Sequence, residues 1–177
     1  LPFAKGPKAT LFAMNVAVTN TRRLGPFTVQ SIGLGCMNVS HAYGVPPSAE
    51  QGERLLLAAL DAGYELFDTA ALYGFGANEI LVGRVLGAHR KRIVLTSKGG
   101  MAGVKQDDGT MKRVIDGRPA TLRRNCEDSL RRLGTDVIDV YYLHRLDMKV
   151  PIEESVGEMG RLLDEGTSAH VQIKLFE

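Results

Sequence analysis

Short, almost uninterrupted apolar runs alternate with helical segments through most of this chain, and that alternation leaves it few folds. The strand-like runs are Ile32-Gly33-Leu34-Gly35, Glu65-Leu66-Phe67, Ile93-Val94-Leu95-Thr96 and Val137 to Leu143. Ser48 and Gln51 read as a capping box for a first helix, whose stripe is Leu55, Leu56, Ala59 and Leu60 and whose stop is Gly63. Ile80, Leu81, Val82, Val85 and Leu86 fall in a second helix ending near Gly87. Pro119 opens a third at its first position and Gly134 closes it. Ile152, Val156, Met159 and Leu163 repeat at helical spacing in a fourth, with Gly166 just beyond. Continuously apolar strands suit burial on both faces. Four strand-helix units in series predict a parallel sheet flanked by helices.

The remaining segments read differently. Residues 1–13 carry no clear period and precede Met14, a candidate natural start, and residues 1–19 form an unassigned leader. Residues 20–31 predict a small hairpin around Gly25-Pro26. Residues 99–118 lack a period and are expected to form a long loop after the third strand, of the kind that often serves function. Residues 167–177 show only a weak strand pattern at Val171, Ile173 and Leu175 and are read as a divergent tail.

A chain of 177 residues buries one sizeable core. Its net charge of +2 gives no argument for nucleic acid, and the pairs Lys91-Arg92, Arg123-Arg124 and Arg131-Arg132 are expected on solvated faces. No apolar run reaches membrane-span length, and the start lacks the pattern of a secretory signal. Two cysteines make no disulfide framework, so a reducing, cytoplasmic setting is expected. Cys126 belongs to the stripe Leu122, Cys126, Leu130, Leu133 and should be buried, whereas Cys36 is placed to face a site.

Chemistry concentrates where the apolar runs end. Asp68, Tyr73, Lys98 and His144 each sit at or just beyond a strand's carboxyl end, where barrel enzymes build their sites. Individually, each has a duller reading as a turn cap, a loop aromatic or a solvated strand terminus. Together they form a proton-handling set. A phenol can protonate a carbonyl oxygen as charge develops there, although its ordinary pKa of about 10 makes it a weak acid at neutral pH. A nearby ammonium favours the phenolate that remains. Lys98 is placed to supply that ammonium to Tyr73, Asp68 to hold Lys98, and His144 to hydrogen-bond the carbonyl oxygen. No His-x-His or His-Glu-x-x-His spacing occurs, and His41, His89 and His170 are scattered, so a metal hydrolase using Asp68 and His144 ranks low and no metal is expected.

Several segments resemble the aldo-keto reductases. They are Gly63-Tyr64-Glu65-Leu66-Phe67-Asp68-Thr69-Ala70 with Tyr73-Gly74, Asn78-Glu79 and Gly83, then Thr96-Ser97-Lys98, then Ser129 through Arg145, with Ile32 to Met37 similar to the family's first barrel strand. The resemblance spans residues 20–166. It implies an α/β fold, a parallel (β/α) barrel of the TIM type, of which the chain carries the first four strand-helix units behind an amino-terminal hairpin; a complete barrel has eight units in about 250 residues. It implies NADP(H), or NAD(H), as cofactor without a Rossmann domain, so Gly74-Phe75-Gly76 is no dinucleotide fingerprint. It assigns Tyr73 as general acid, tuned by Lys98 and Asp68, with His144 positioning a small-molecule carbonyl substrate. Cys36, Met37 and Asp68 match positions near the nicotinamide. The family's later cofactor loops have no counterpart here, so a fragment is expected, and the alternative is a non-catalytic half-barrel or binding module. Four strands cannot close a barrel. Unpaired edges and an apolar inner face, including residues 93–95 and 137–143, are expected to drive self-association or pairing with a complementary half-barrel.

Overall fold

The structure, a computed structural model, describes residues 20–40, 45–167 and 171–173. The leader with Met14, and Leu175 of the tail, lie outside the described residues. The described residues begin with an antiparallel hairpin, β1 (Thr21–Leu24) and β2 (Phe27–Gln30), turning at Gly25-Pro26 as the sequence predicts. Then follow β3 (Leu34–Gly35), α1 (Ala49–Asp61), β4 (Leu66–Asp68), α2 (Ala77–Leu86) and β5 (Val94–Gly99). A second antiparallel hairpin, β6 (Met101–Lys105) and β7 (Met111–Ile115), leads to α3 (Pro119–Leu133), β8 (Val140–Leu143), α4 (Ile152–Asp164) and β9 (Val171–Ile173).

The predicted helix ends hold in detail. Ser48 and Gln51 exchange both capping-box hydrogen bonds, Gln51 N–H donating to Ser48 Oγ at 3.2 Å and Ser48 N–H to Gln51 Oε1 at 2.8 Å. Pro119 occupies the first turn of α3, and Gly134 ends it in the left-handed region at φ 64°. The predicted loop at 99–118 is corrected: most of it is the β6–β7 hairpin. The four expected sheet strands are also corrected. Val171–Ile173 pairs in parallel with β8, giving one parallel sheet in the order β3-β4-β5-β8-β9.

Register sorts side chains onto two faces. Leu34 pairs with Phe67 and Phe67 with Leu95, while Gly35 pairs with Asp68, Asp68 with Thr96, and Thr96 with Val140. Phe67, Leu95, Tyr141 and Leu143 pack on the helix side with Leu56, Val82, Leu122 and Met159. Leu66, Val94, Val140 and Tyr142 point the other way and meet Leu24, Phe27 and Val29 of the first hairpin. That hairpin therefore covers the apolar, amino-terminal part of the inner face. Farther along the strands the inner face carries Asp68, Thr96 and Lys98, so the expectation of an uncovered apolar face is revised. The alternation of period two puts apolar residues under the hairpin and polar ones at the strand ends.

Two charged residues tie α2 into the sheet. Glu79, fully buried, accepts a hydrogen bond from Ser97 Oγ of β5 at 2.6 Å and pairs with Arg132 Nε of α3 at 2.6 Å. Arg132 is thus half-buried structure, and Arg123 bridges Glu158 and Glu165 of the α4 region. The solvated-face reading of these two arginines is corrected accordingly.

Candidate active site

Asp68 is the last residue of β4, and the chain runs on through Thr69 to Leu72 into a short segment, Tyr73–Gly76, kinked by left-handed backbone at Gly74 and Phe75. Tyr73 N–H donates to Ala70 O at 3.0 Å, which sets the phenol back over the strand ends. Lys98 lies on β5, and His144 follows β8 with its N–H donating to Gly99 O at 2.9 Å. Because β4, β5 and β8 are adjacent and parallel, all four residues gather at one end of the sheet.

Lys98 is the hub. Its side chain is 4% exposed. Its ammonium donates to Asp68 Oδ2 at 2.6 Å, to Thr69 O at 2.8 Å and to Tyr73 OH at 3.3 Å, using all three protons. It also lies 4.9 Å from the centre of the Tyr73 ring. A buried ammonium needs a paired, hydrogen-bonded setting, and Asp68 with the Thr69 carbonyl supplies it. Asp68 is held in turn by Thr96, whose hydroxyl donates to Oδ1 at 2.6 Å. His144 meets Tyr73 edge to face, ring centres 5.8 Å apart at 88°. The structure thus brings Asp68, Tyr73, Lys98 and His144 together as the sequence expects.

Cys36 and Met37 are placed differently from one another. Met37 starts a half-buried 3-10 turn just past β3. Cys36 packs in the helix-side cluster, fully buried, and its backbone N–H donates to Asp68 O at 2.8 Å. Gly35, its neighbour, takes the inward position in register with Asp68. The expectation that Cys36 faces the site is corrected on this register. Burial, with Asp68 nearby, pushes the Cys36 thiol up to about 12, far from a reactive thiolate.

The model of the Aldo/keto reductase family matches residues 31–177. The chain belongs to that family. The aldo-keto reductase match runs past residue 166, where the motif resemblance stops. Among curated relatives, the chain is 41% identical to probable aldo-keto reductase 1 of Glycine max over 146 residues, covering 82% of this chain and 41% of the relative. It is 35% identical to the Schizosaccharomyces pombe aldo-keto reductase yakc, named with NADP(+), over 85% of this chain and 44% of the relative. The chain thus spans less than half the length of both. Among solved structures it superposes on a glycerol dehydrogenase from Gluconobacter oxydans with a TM-score of 0.79 at 36% identity, covering 88% of this chain and 48% of the other. It also matches an aldo/keto reductase from Klebsiella pneumoniae solved with NADP and acetate, with a TM-score of 0.65 at 33% identity over 85% and 47%.

Two site residues carry no role in the sequence reading. Thr96 lies two positions before Lys98 and so shares its face, a signal that strand periodicity offers. Asn78, fully buried, accepts from Thr69 Oγ1 at 2.6 Å and donates to Cys36 O at 2.7 Å and Ser40 Oγ at 2.6 Å. It ties the Asp68 strand end to the turn after β3. The residues present fit the nicotinamide end of a cofactor. Asp68 and Met37 are half-buried, and a Cβ built on Gly35 would meet nothing within 4 Å, so the inner face beside Asp68 is open.

Proposed function

We propose that this chain carries the proton-handling site of an NADP(H)-dependent oxidoreductase that reduces an aldehyde or ketone to an alcohol, or runs the reverse oxidation. The observation that carries the reading is the Lys98 ammonium, held by Asp68 and Thr69 and reaching Tyr73 OH at 3.3 Å. Reduction of a carbonyl leaves negative charge on its oxygen, and Tyr73 delivers a proton to that atom. The phenolate left behind stands beside the Lys98 ammonium, which stabilises it. Asp68 keeps that ammonium oriented, and Thr96 keeps Asp68 from rotating away. His144, against the Tyr73 ring, positions the carbonyl oxygen. NADP(H), when bound, supplies or accepts the hydride; Asp68 and Met37, beside open Gly35, would border its nicotinamide. The name of the Gluconobacter relative, a glycerol dehydrogenase, supports the oxidative direction as well. A cytoplasmic setting accords with Cys36 and Cys126, both free and buried.

Substitution of the phenol tests this reading. In a form of the protein with measured carbonyl reduction, Tyr73→Phe should lower turnover by roughly 10²–10⁴-fold, the usual contribution of a general acid, with cofactor affinity little changed. Lys98→Met should be comparably damaging. Full turnover in Tyr73→Phe would sink the assignment.

A further inference from the structure

A cavity of about 300 Å3 opens beneath the β6–β7 hairpin, against α3 and the ring of Phe75. That volume is at the lower end for small-molecule sites, roughly 300–1,000 Å3. None of Asp68, Tyr73, Lys98 and His144 lines it, so it is separate from the proton-handling site. Most of its walls lie between the end of β5 and the end of α3, with Ala71 and Phe75 contributed by the segment after β4; β5 has both neighbours, β4 and β8, in this chain. Its lining is apolar at Phe75, Val104 and Val114 and charged at Asp116, Arg124, Asp128 and Arg132.

The charges there are mostly spoken for. Asp116 is paired with Arg118, Asp128 with Arg131, and Arg132 with Glu79. Arg124 alone among the charged lining residues has no carboxylate partner among the described residues; its Nη2 donates only to Thr121 Oγ1 at 3.4 Å. Beside it lies Asn125, 9% exposed. The Asn125 Oδ1 accepts from Gly100 N–H at 3.1 Å, which orients the amide, and its Nδ2 has no partner among the described residues. That nitrogen keeps its donor protons available to a ligand in the cavity. A guanidinium and an amide donor lining one cavity with apolar side chains suit a carboxylate attached to a hydrophobic body.

We propose that this cavity binds a small organic carboxylate, its anionic end on Arg124 and Asn125 and its apolar body against Phe75. The site also touches the catalytic turn. Phe75 holds the left-handed φ of 53° two residues beyond Tyr73, and a Cβ on Gly103 of the hairpin would fall 2.1 Å from its ring. A ligand against Phe75 therefore bears on the turn that carries the phenol.

Calorimetric titration of the full chain with benzoate, and with its uncharged isostere benzamide, tests the proposal without any need for turnover. Benzoate should bind saturably at one site and benzamide at least about tenfold more weakly, since a hydrogen-bonded charge carries most of that difference. Arg124→Gln, a change at an exposed position, should weaken benzoate by about tenfold or more. Tyr73→Phe should leave benzoate affinity unchanged, even if the catalytic reading fails. Absence of saturable benzoate binding, equal affinity in Arg124→Gln, or loss of binding in Tyr73→Phe would each overturn the proposal.

Discussion

Single residues at the strand ends decide the chemistry, and most of them are legible from where the apolar runs stop. Asp68, Lys98 and His144 are polar residues closing apolar strands, a pattern the sequence displays openly. The direction of Cys36 is not legible in the same way. After a two-residue strand, a register shift of one position exchanges the faces, and only the pairing of Gly35 with Asp68 shows that the thiol points away. That burial has a consequence for stability. Both Cys36 and Cys126 are pushed up to about 12 by desolvation, above the ordinary thiol value of 9.0. The phenol of Tyr141, also desolvated, is raised well above 10.0. In the unfolded chain these groups ionise at their ordinary values, while in the folded chain they stay neutral. Their contribution is therefore complete below about pH 9 and is lost as pH rises toward 12. The melting temperature should hold nearly level up to about pH 9 and fall from there to pH 10.5, and native Cys36 should resist alkylation at pH 8. A melting temperature that stayed level across that range would contradict the burial of these groups.

Among the elements, the helices were the easiest to read and the β6–β7 hairpin the hardest. Helix ends are chemical, and Ser48, Pro119 and Gly134 announce them. The hairpin is largely exposed on both faces, so it shows no apolar alternation. Its one signal is Asp108-Gly109 between two runs of strand-compatible residues. Gly109 takes φ 82°, and Gln106 N–H donates to Thr110 O at 2.8 Å to close the turn. The contact between α2 and α3 is likewise invisible in sequence, because it depends on absent atoms. A Cβ on Gly83 would lie 2.4 Å from Leu133 O, with the Leu133 carbonyl carbon and Cα close behind. Helix propensity alone would favour alanine over glycine there by about 1 kcal/mol. Backbone atoms cannot step aside as a flexible side chain can, so overpacking, about 1–3 kcal/mol or more, wins. Gly83→Ala should therefore lower stability in urea unfolding. A stabilised variant would mean that the helices sit farther apart than the structure places them.

At the scale of the whole molecule, the sheet is open among the described residues. The order β3-β4-β5-β8-β9 leaves β3 and β9 each with one neighbour among the described residues. Parallel sheets seldom leave such edges uncovered, and an unpaired edge is a template for association. The sequence led to the same expectation from four strands; the fifth moves the second edge from β8 to β9 without removing it. What is exposed matters as much as the count. The first hairpin covers Val94 and Val140, so an association of this chain would rest less on apolar surface there than on backbone groups at the edges. Ile32, 58% exposed just before β3, adds apolar surface at one of them. A second copy related by a two-fold axis along the strand direction could set β3 of each chain beside β9 of the other, parallel in both places, the simplest closed symmetry available. A polypeptide of these 177 residues should therefore be larger than a monomer at micromolar concentration, as a dimer or as higher aggregates. Light scattering coupled to size-exclusion chromatography reads this directly. A soluble species of monomer mass, 19.2 kDa, that unfolds cooperatively would show that the edges are closed within one chain, and the association would have to be abandoned.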